Sequence, residues 1–192
     1  MSPDIEIIGD GCAALSLAAR ASELNHNIRL IKPSNAPTTN DHVWGFWSDP
    51  ILADAQQLAR ATWQKWAIIT HDDCAVLSSE TRPYNAFKRS DWNEHCKGLA
   101  ELSKVTIVAE HEWEKSADSL LFDTRPPVVP NDCMLQHFQG IEVKTKQPCF
   151  DKDMAILMDF RVDQSKGMHF IYLLPYSTTE ALVESTLFST EL

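Results

Sequence analysis

The spacing of hydrophobic residues at the start of the chain predicts a strand, a tight turn, a helix and a second strand. Ile5, Ile7 and Ile8 form a short apolar run that is typical of a strand buried on both faces. Apolar residues then recur at helical spacing and predict one stripe of a helix from Cys12 to Leu24, formed by Ala13, Leu17, Ala21 and Leu24. The polar residues that follow end this helix, and Ile28 begins the second strand.

The rest of the chain divides into a part with alternating helices and strands and a part with strands alone. In the first part a helix is predicted over 92–102, with Ser90 as its N-cap, and strands at 66–70, 74–77, 105–109 and 119–122. Beyond Pro130 the pattern predicts an antiparallel meander of longer strands at 135–145, 154–162, 168–174 and 181–188. We therefore predict a layered α/β domain over residues 1–127 and an antiparallel sheet over residues 128–192.

The composition is ordinary for a globular protein and argues against several classes of function. The 192 residues carry a net charge of −10, whereas nucleic-acid binding needs clustered Lys and Arg. The five cysteines form no CxxC pair, which favours reduced thiols in a cytoplasmic protein over disulfides or a zinc site. Lys115 stands where a zinc motif that begins at His111 and Glu112 needs its second histidine, so no metal site is predicted. No apolar run approaches the length of a membrane-spanning helix.

The turn between the first strand and the helix has the pattern Gly9-x-Gly11-x-x-Ala14. In a dinucleotide-binding turn the first glycine allows the bend, the second admits a pyrophosphate, and a small third residue lets helix and strand pack closely. The alternative is a structural turn that binds no phosphate. Lys32 departs from the pattern, because an Asp or Glu usually accepts hydrogen bonds from the ribose at that position. Asp41 is a distant candidate for this role.

Two further segments have candidate roles near a bound nucleotide. Asp123 precedes Arg125 by two residues at the end of a predicted strand, where it can hold the guanidinium near an anionic group such as a pyrophosphate. The alternative is a plain surface ion pair. Trp44, Phe46 and Trp47 crowd around a glycine and either line a flavin or apolar substrate site or close over the core.

Two carboxylic acids on the predicted long strands are candidate functional residues. Alternation along the last strand places Glu184 on one face with Leu182, Thr186 and Phe188. A carboxyl that is desolvated on such a face keeps its proton to higher pH, as a general acid requires, whereas a solvated outer face is the structural alternative. Asp159 shares a face with Arg161, and a simple neighbour pair is the structural alternative there.

The segment from Met158 to Ser189 resembles the FAD-dependent lycopene cyclases. The resemblance is carried by Met158-Asp159, the turn at Gly167, the aromatic-rich strand that ends in Leu174-Pro175, and the apolar-Glu-x-Thr pattern around Glu184. It extends back to Gly140-Ile141-Glu142, to Asp123-Thr124-Arg125, and to the aromatic stretch after the second strand.

This resemblance implies a Rossmann-like FAD/NAD(P)-binding α/β fold followed by an antiparallel substrate region. It implies non-redox closure of the end groups of linear lycopene by an isomerase (intramolecular lyase) of carotenoid biosynthesis. Reduced FAD, with NAD(P)H as a candidate reductant, stabilises cationic character in that mechanism. Glu184 takes the acid/base role, which agrees with the need for a neutral acid in a dry site.

The resemblance also assigns binding residues and a cellular setting. The cofactor-binding candidates are Gly9, Gly11, Ala14, Asp123 and Arg125, and the substrate-binding candidates are Trp44, Phe46, Trp47, Asp159 and Tyr172. We expect a cytoplasmic protein that contacts the membrane peripherally, because linear carotenoids dissolve there. Members of the family are about twice as long as this chain, so we expect an N-terminal portion with an incomplete substrate region. A missing C-terminal half or a second chain would complete it.

Two other functions remain open from the sequence. One is a flavin-dependent oxidoreductase that acts on an isoprenoid, which would consume NAD(P)H. The other is a truncated, non-catalytic domain that binds a dinucleotide or a carotenoid.

Overall fold

A computed structural model describes residues 3–35, 40–130 and 132–190. The chain divides into two compact units, each built from two segments. Unit 1 comprises Met1–His42 and Lys88–Val128, and unit 2 comprises Val43–Phe87 and Val129–Leu192. The predicted boundary at 127/128 lies next to one of these divisions. Residues 43–87, which the sequence analysis assigned to the first domain, belong to unit 2 because their strands pack and pair with the later strands.

The described residues contain thirteen strands and four α-helices. The strands are β1 (Ile5–Ile8), β2 (Ile28–Lys32), β3 (Val43–Trp47), β4 (Ala61–Trp63), β5 (Lys65–Ile69), β6 (Cys74–Ser78), β7 (Tyr84–Lys88), β8 (Thr106–Ala109), β9 (Leu120–Asp123), β10 (Leu135–Lys144), β11 (Met154–Asp159), β12 (Met168–Pro175) and β13 (Glu180–Ser189). The helices are α1 (Cys12–Ala19), α2 (Ala21–Leu24), α3 (Ala53–Gln57) and α4 (Arg89–Leu102). None of these helices is long and apolar enough to cross a bilayer.

Unit 1 is built on a parallel four-stranded sheet in the order β8-β2-β1-β9. Its central strands are buried, as the apolar pattern predicts, and Ile7 and Ile31 are fully inaccessible to solvent. The predicted apolar stripe of the first helix is wrong except at Ala21, which is buried. Helix α1 buries Ala14, Leu15, Ala18 and Ala19 instead. Small residues on several sides of an alanine-rich helix leave the choice of buried face to tertiary packing.

The ends of two helices differ from the sequence-based expectation. The predicted helix 12–24 is interrupted at Arg20, which separates α1 from α2. Helix α4 begins at Arg89, so Ser90 lies inside its first turn and is not the N-cap. The carboxylate of Asp41 instead accepts hydrogen bonds from the backbone N–H and the hydroxyl of Ser90, at 3.0 and 2.9 Å. A side chain distant in sequence therefore satisfies the first turn of α4.

Unit 2 contains a six-stranded sheet in the order β10-β13-β12-β11-β5-β6 and a three-stranded sheet in the order β3-β7-β4. The predicted meander is confirmed for β11, β12 and β13, whereas β10 pairs with β13 rather than with β11. One hydrophobic cluster contains residues of both sheets: Trp63, Ala86, Ala155, Leu157, Leu174 and Leu182. The indole N–H of Trp63 donates to the carbonyl of Pro175 at 3.1 Å, which ties the small sheet to the large one.

A fully buried carboxylate, Glu6, lies in the middle of β1. It accepts hydrogen bonds from the indole of Trp113, the backbone N–H of Ser116 and the hydroxyl of Ser119, and it pairs with Arg29 at 3.2 Å. Burial alone would raise the pKa of Glu6, but these donors and the Arg29 charge outweigh it and hold the pKa below its ordinary value. The carboxylate therefore anchors the segment 113–119 to the sheet.

We expect Glu6→Gln to lower the free energy of unfolding by about 3 kcal/mol, because it leaves buried donors and a cation without their anion. The exposed pair of Arg20 and Glu23 provides the control, and Glu23→Gln should cost less than about 1 kcal/mol. Urea denaturation of the three proteins at pH 7 measures both effects. Equal stability of the two variants would contradict the anchoring role.

The unaltered chain and the Glu6→Gln variant should also differ in how their stability depends on pH. Because the folded-state pKa of Glu6 is lowered, its stabilisation is fully present above the unfolded value of 4.5 and is lost as the pH falls through the folded-state pKa. The stability difference between the unaltered chain and Glu6→Gln should therefore shrink below pH 4.5. A difference that stays constant from pH 7 to pH 3 would argue against an ionised Glu6 in the folded chain.

Candidate functional site

The glycine turn of unit 1 joins β1 to α1 and depends on the absence of a side chain at Gly9. Its φ of +141° lies in the region that favours glycine, and a Cβ there would overlap the hydroxyl of Thr124. Thr124 follows β9 and donates both its backbone N–H and its hydroxyl to the carbonyl of Ile8, at 2.9 and 2.8 Å. The turn is thereby fixed against the neighbouring strand.

The space in front of α1 is open at the second glycine of the motif. A Cβ on Gly11 would meet no atom within 4 Å, and Gly11 is the N-cap of the helix. The first backbone N–H groups of an α-helix have no acceptor within the helix, and they attract phosphate. Ala14 is buried, and its Cβ lies 3.1 Å from the position that a Cβ on Gly9 would take. These residues fit a dinucleotide diphosphate, and their role as cofactor contacts stays a prediction.

Asp123 and Arg125 lie at the same edge of the sheet, because Asp123 of β9 pairs in register with Ile8. The guanidinium binds the carboxylate with two donors, Nε at 2.9 Å from Oδ1 and Nη2 at 2.6 Å from Oδ2. Hydrogen bonds from Arg125 lower the pKa of Asp123. The third donor, Nη1, lies 2.9 Å from Oε1 of Glu110, a carboxylate that the sequence analysis did not single out.

Lys32, which replaces the usual ribose-binding acid, and Asp41, the candidate substitute for it, have different surroundings. Lys32 is the last residue of β2 and is exposed. Asp41 is engaged with Ser90 at the start of α4. Burial alone would raise the pKa of Asp41, but the hydrogen bonds from Ser90 outweigh it and lower this pKa. The geometry of Asp41 is therefore that of a helix cap.

In unit 2, Glu184 lies on the face of β13 that carries the hydrophobic cluster. Leu182 and Thr186 on the same face are buried, and Glu184 itself is half-buried. Its neighbours across the sheet are Gly140 of β10 and Tyr172 of β12. A cavity of about 190 Å³ opens at this point, lined by Val43, Gly45, Tyr84, Gln136, Tyr172, Leu174, Leu182 and Glu184. Glu184 thus lies on the inner face of β13, and its role as an acid stays a prediction.

A hydrogen bond from Thr186 and the absence of a side chain at Gly140 shape the surroundings of the Glu184 carboxyl, and Gly45 does the same for the neighbouring Tyr84. The hydroxyl of Thr186 donates to Oε1 at 3.1 Å. Oε2 lies 3.3 Å from where a Cβ on Gly140 would be, so a side chain at position 140 would crowd it. A Cβ on Gly45 would overlap the hydroxyl of Tyr84, which lines the same cavity. Glycine in a strand often marks such a close approach.

Two phenols share the cavity with Glu184. Burial, and secondarily the charges of Tyr172 and Glu184, raises the pKa of Tyr84, and burial and the Glu184 charge raise the pKa of Tyr172. Both phenols therefore stay protonated at neutral pH. The lining residues named above include no basic side chain. The cavity thus offers a carboxyl, an amide and neutral hydroxyl groups beside a few aliphatic side chains, which suits proton transfer more than anion binding.

The aromatic residues of β3 separate by strand alternation. Trp47 lies on the side of Gly45 and packs edge-on against Trp66 and Tyr84, with centroid distances of 4.5 and 4.9 Å. Trp44 and Phe46 instead contact Phe87, at 5.9 and 5.2 Å. Trp47 is therefore connected through Tyr84 to the cavity lining, and a substrate-binding role for Trp44, Phe46 and Trp47 stays a prediction.

Asp159 forms the neighbour pair that the sequence analysis gave as the structural alternative. Arg161 donates from Nε and Nη2 to the two carboxylate oxygens at 2.9 and 2.7 Å, and from its backbone N–H at 3.1 Å. Hydrogen bonding from Arg161 lowers the pKa of Asp159. Its oxygens are thus occupied by one local cation, and a substrate contact stays a prediction.

Sequence comparison relates this chain to one family. The family described as "Lycopene cyclase protein" matches residues 4–192. A lycopene beta-cyclase from Paracoccus sp. (strain N81106 / MBIC 01143) is 43% identical over 210 residues, which covers 98% of this chain and 52% of the relative. The chain therefore spans about half the length of this relative.

Solved structures share the fold at much lower identity. A geranylgeranyl bacteriochlorophyll reductase-like protein from Thermoplasma acidophilum has a TM-score of 0.60 and 11% identity, covering 98% of this chain and 56% of that one. The oxygenase of 2-methyl-3-hydroxypyridine-5-carboxylic acid has a TM-score of 0.65 and 15% identity, covering 97% and 59%. A flavin-dependent brominase has a TM-score of 0.60 and 12% identity, covering 96% and 56%.

These structural likenesses confirm the predicted α/β fold class and carry no more than that. The family match covers almost the whole chain, including the segment from Met158 to Ser189 that suggested the resemblance. On this ground the chain belongs to the lycopene cyclase family.

Proposed function

We propose that this chain is the dinucleotide-binding and acid-bearing portion of an enzyme that closes the end groups of linear lycopene. The observation that carries the proposal is the Glu184 carboxyl, which lines a cavity together with two protonated phenols and apolar side chains. Alkene protonation needs a neutral acid that is shielded from bulk water. A half-buried carboxyl on the inner face of a sheet supplies the required chemical group.

In the proposed reaction, Glu184 transfers its proton to the terminal alkene of the substrate. The neighbouring double bond attacks the resulting cation and closes the ring, and a ring proton then leaves to the carboxylate and creates the new double bond. The proton count balances without an oxidant, so the reaction is an isomerisation. The hydroxyl of Thr186 holds Oε1 of this carboxyl, and Oε2 lies next to Gly140.

The proposed cofactor is FAD, held in unit 1 by the open turn at Gly9 and Gly11 and by the guanidinium of Arg125. The reduced cofactor, with NAD(P)H as reductant, would supply negative charge that stabilises cationic character. The support for this part is the obligatory glycine at position 9, the open space at position 11, and the name of the brominase that shares the fold. Ala14 permits the close helix packing that the turn requires.

The proposal includes partners beyond this chain. Because the chain spans about half of its Paracoccus relative, we propose that the rest of the substrate pocket comes from a C-terminal half or a second chain. The substrate is a linear carotenoid, which dissolves in the membrane, so we also propose a cytoplasmic protein with peripheral membrane contact. Trp47 and Tyr172 are the aromatic candidates for substrate contact near Glu184.

A second candidate is a flavin-dependent oxidoreductase that acts on an isoprenoid. The open glycine turn would suit a flavin in either enzyme, so the turn alone does not separate the two functions. The two functions differ in stoichiometry, because a reductase consumes one NAD(P)H for each product formed and an isomerase does not. Nicotinamide oxidation measured together with pigment conversion separates them.

We expect the purified chain to bind FAD and Gly11→Leu to abolish this binding, because the leucine side chain would fill the space where the pyrophosphate approaches. Gly98 of α4 is a matched control, since a Cβ there also meets no atom within 4 Å, and Gly98→Leu should bind FAD like the unaltered chain. Flavin fluorescence titration measures the three affinities. Unchanged affinity of the Gly11→Leu variant would remove the turn from the cofactor site.

We expect Glu184→Gln to reduce cyclisation at least about 100-fold, the usual contribution of a general acid. Glu180→Gln is the matched control on the same strand, because Glu180 forms an exposed pair with Lys144. Pigment analysis of lycopene-accumulating cells that express each variant gives the measurement. Equal, measurable conversion by the unaltered chain and Glu184→Gln would exclude Glu184 as the acid. A folded but inactive unaltered chain would agree both with the non-catalytic alternative and with a pocket that needs the second part proposed above.

A further inference from the structure

The carboxyl end of β2 has a lysine where dinucleotide-binding proteins usually place an acid. That acid accepts a hydrogen bond from the 2′-hydroxyl of the adenosine ribose. Lys32 has no acceptor on its side chain and is exposed. Strand β8 lies beside β2 in parallel, with Ala109 in register with Lys32, and Glu110 follows directly. The topology thus delivers a carboxylate to the same edge of the sheet from the neighbouring strand.

The Glu110 side chain is held against the segment that follows β2. Its Oε2 accepts the backbone N–H of Ser34 at 2.9 Å, and its Oε1 accepts Nη1 of Arg125 at 2.9 Å. The side chain is 31% exposed, so it remains open to a ligand. A carboxylate has about four acceptor positions, and these two hydrogen bonds use half of them.

We propose that Glu110 accepts the ribose hydroxyl of the adenosine part of a bound dinucleotide, in place of the acid that β2 lacks. The other carboxylates considered for the site have different roles, because Asp41 caps α4 and Asp123 forms a bidentate ion pair with Arg125. Arg125 and Ser34 hold the Glu110 carboxylate in position for this contact. The inference rests on the proposed dinucleotide binding and names the residue that recognises the sugar.

The test compares ADP with 2′-deoxy-ADP by isothermal titration calorimetry on the full chain. A hydrogen bond to a charged group should give the unaltered chain a preference for ADP of about ten-fold or more. Glu110→Gln should bring the two affinities close together. The ratio of affinities is the relevant quantity, because removal of a negative charge strengthens the binding of both nucleotides alike.

Two further variants separate recognition from general structural effects. Glu112→Gln, two residues away and exposed, should keep the preference for ADP. Lys32→Glu, introduced into the Glu110→Gln chain, should restore the preference by returning an acid to the end of β2. Thermal unfolding followed by circular dichroism checks that each variant is folded.

Each outcome bears on a distinct claim. An unaltered chain that binds both nucleotides equally, or a Glu110→Gln variant that keeps the preference, would overturn the role of Glu110 and leave the proposed FAD site intact. A double variant that shows no restored preference would also overturn it, because an acid at position 32 would then fail to reach the ribose. A chain that binds neither ADP nor FAD would overturn the cofactor proposal itself, and the role of Glu110 with it.

Discussion

Parallel pairing of four short strands is the constraint on which the rest of unit 1 depends. Because β8, β2, β1 and β9 all run in one direction, their carboxyl ends meet at one edge, and the residues that follow them are gathered there. Gly9 and Thr124 are brought together by this pairing, and so are Ser34 and Glu110, although all four residues come from separate parts of the chain. The hydrogen bonds from Thr124 to Ile8 and from Ser34 to Glu110 are direct consequences. Ligand sites in open α/β sheets form at such an edge.

In unit 2 the corresponding constraint is the two-residue alternation of β13 within an antiparallel sheet. Alternation puts Glu184 on the face that also buries Leu182 and Thr186, so the acid cannot turn to the other face without exposing the core. Register then sets its neighbours, since Gly140 leaves room on one side and Tyr172 supplies a phenol on the other. The surroundings of the carboxyl are therefore fixed by strand pairing, not by loops.

The sequence predicted the features that depend on local pattern and failed where distant partners decide. The first strand–turn–helix, the antiparallel pairing of β11, β12 and β13 and the face of Glu184 follow from short-range periodicity. Glu6 was passed over inside an apolar run because its partners Trp113, Ser116 and Ser119 lie 107 to 113 residues away. The same reason explains Asp41, whose partner Ser90 is 49 residues distant.

Glycines in strands show most clearly what the sequence alone does not reveal. Gly45 and Gly140 carry no signal in their own neighbourhood that distinguishes them from other loop or strand glycines. Their meaning appears only when Tyr84 and Glu184 are placed against them. A glycine on a strand that faces a candidate acid is a signal that sequence analysis can use once the cross-strand register is known.

Family and fold contribute differently to the functional argument. Proteins named as a reductase, an oxygenase and a brominase share the fold at 11 to 15% identity, so the fold does not select among their chemistries. The chemistry must instead be argued from the residues of the cavity. Reduction or oxygenation needs a co-reactant at the reacting carbon, whereas the proton transfers of an isomerisation need a group that can give a proton and take one back. The proposed isomerase role of Glu184 rests on this requirement, because a single carboxyl placed between Gly140 and Tyr172 can both give a proton and take one back.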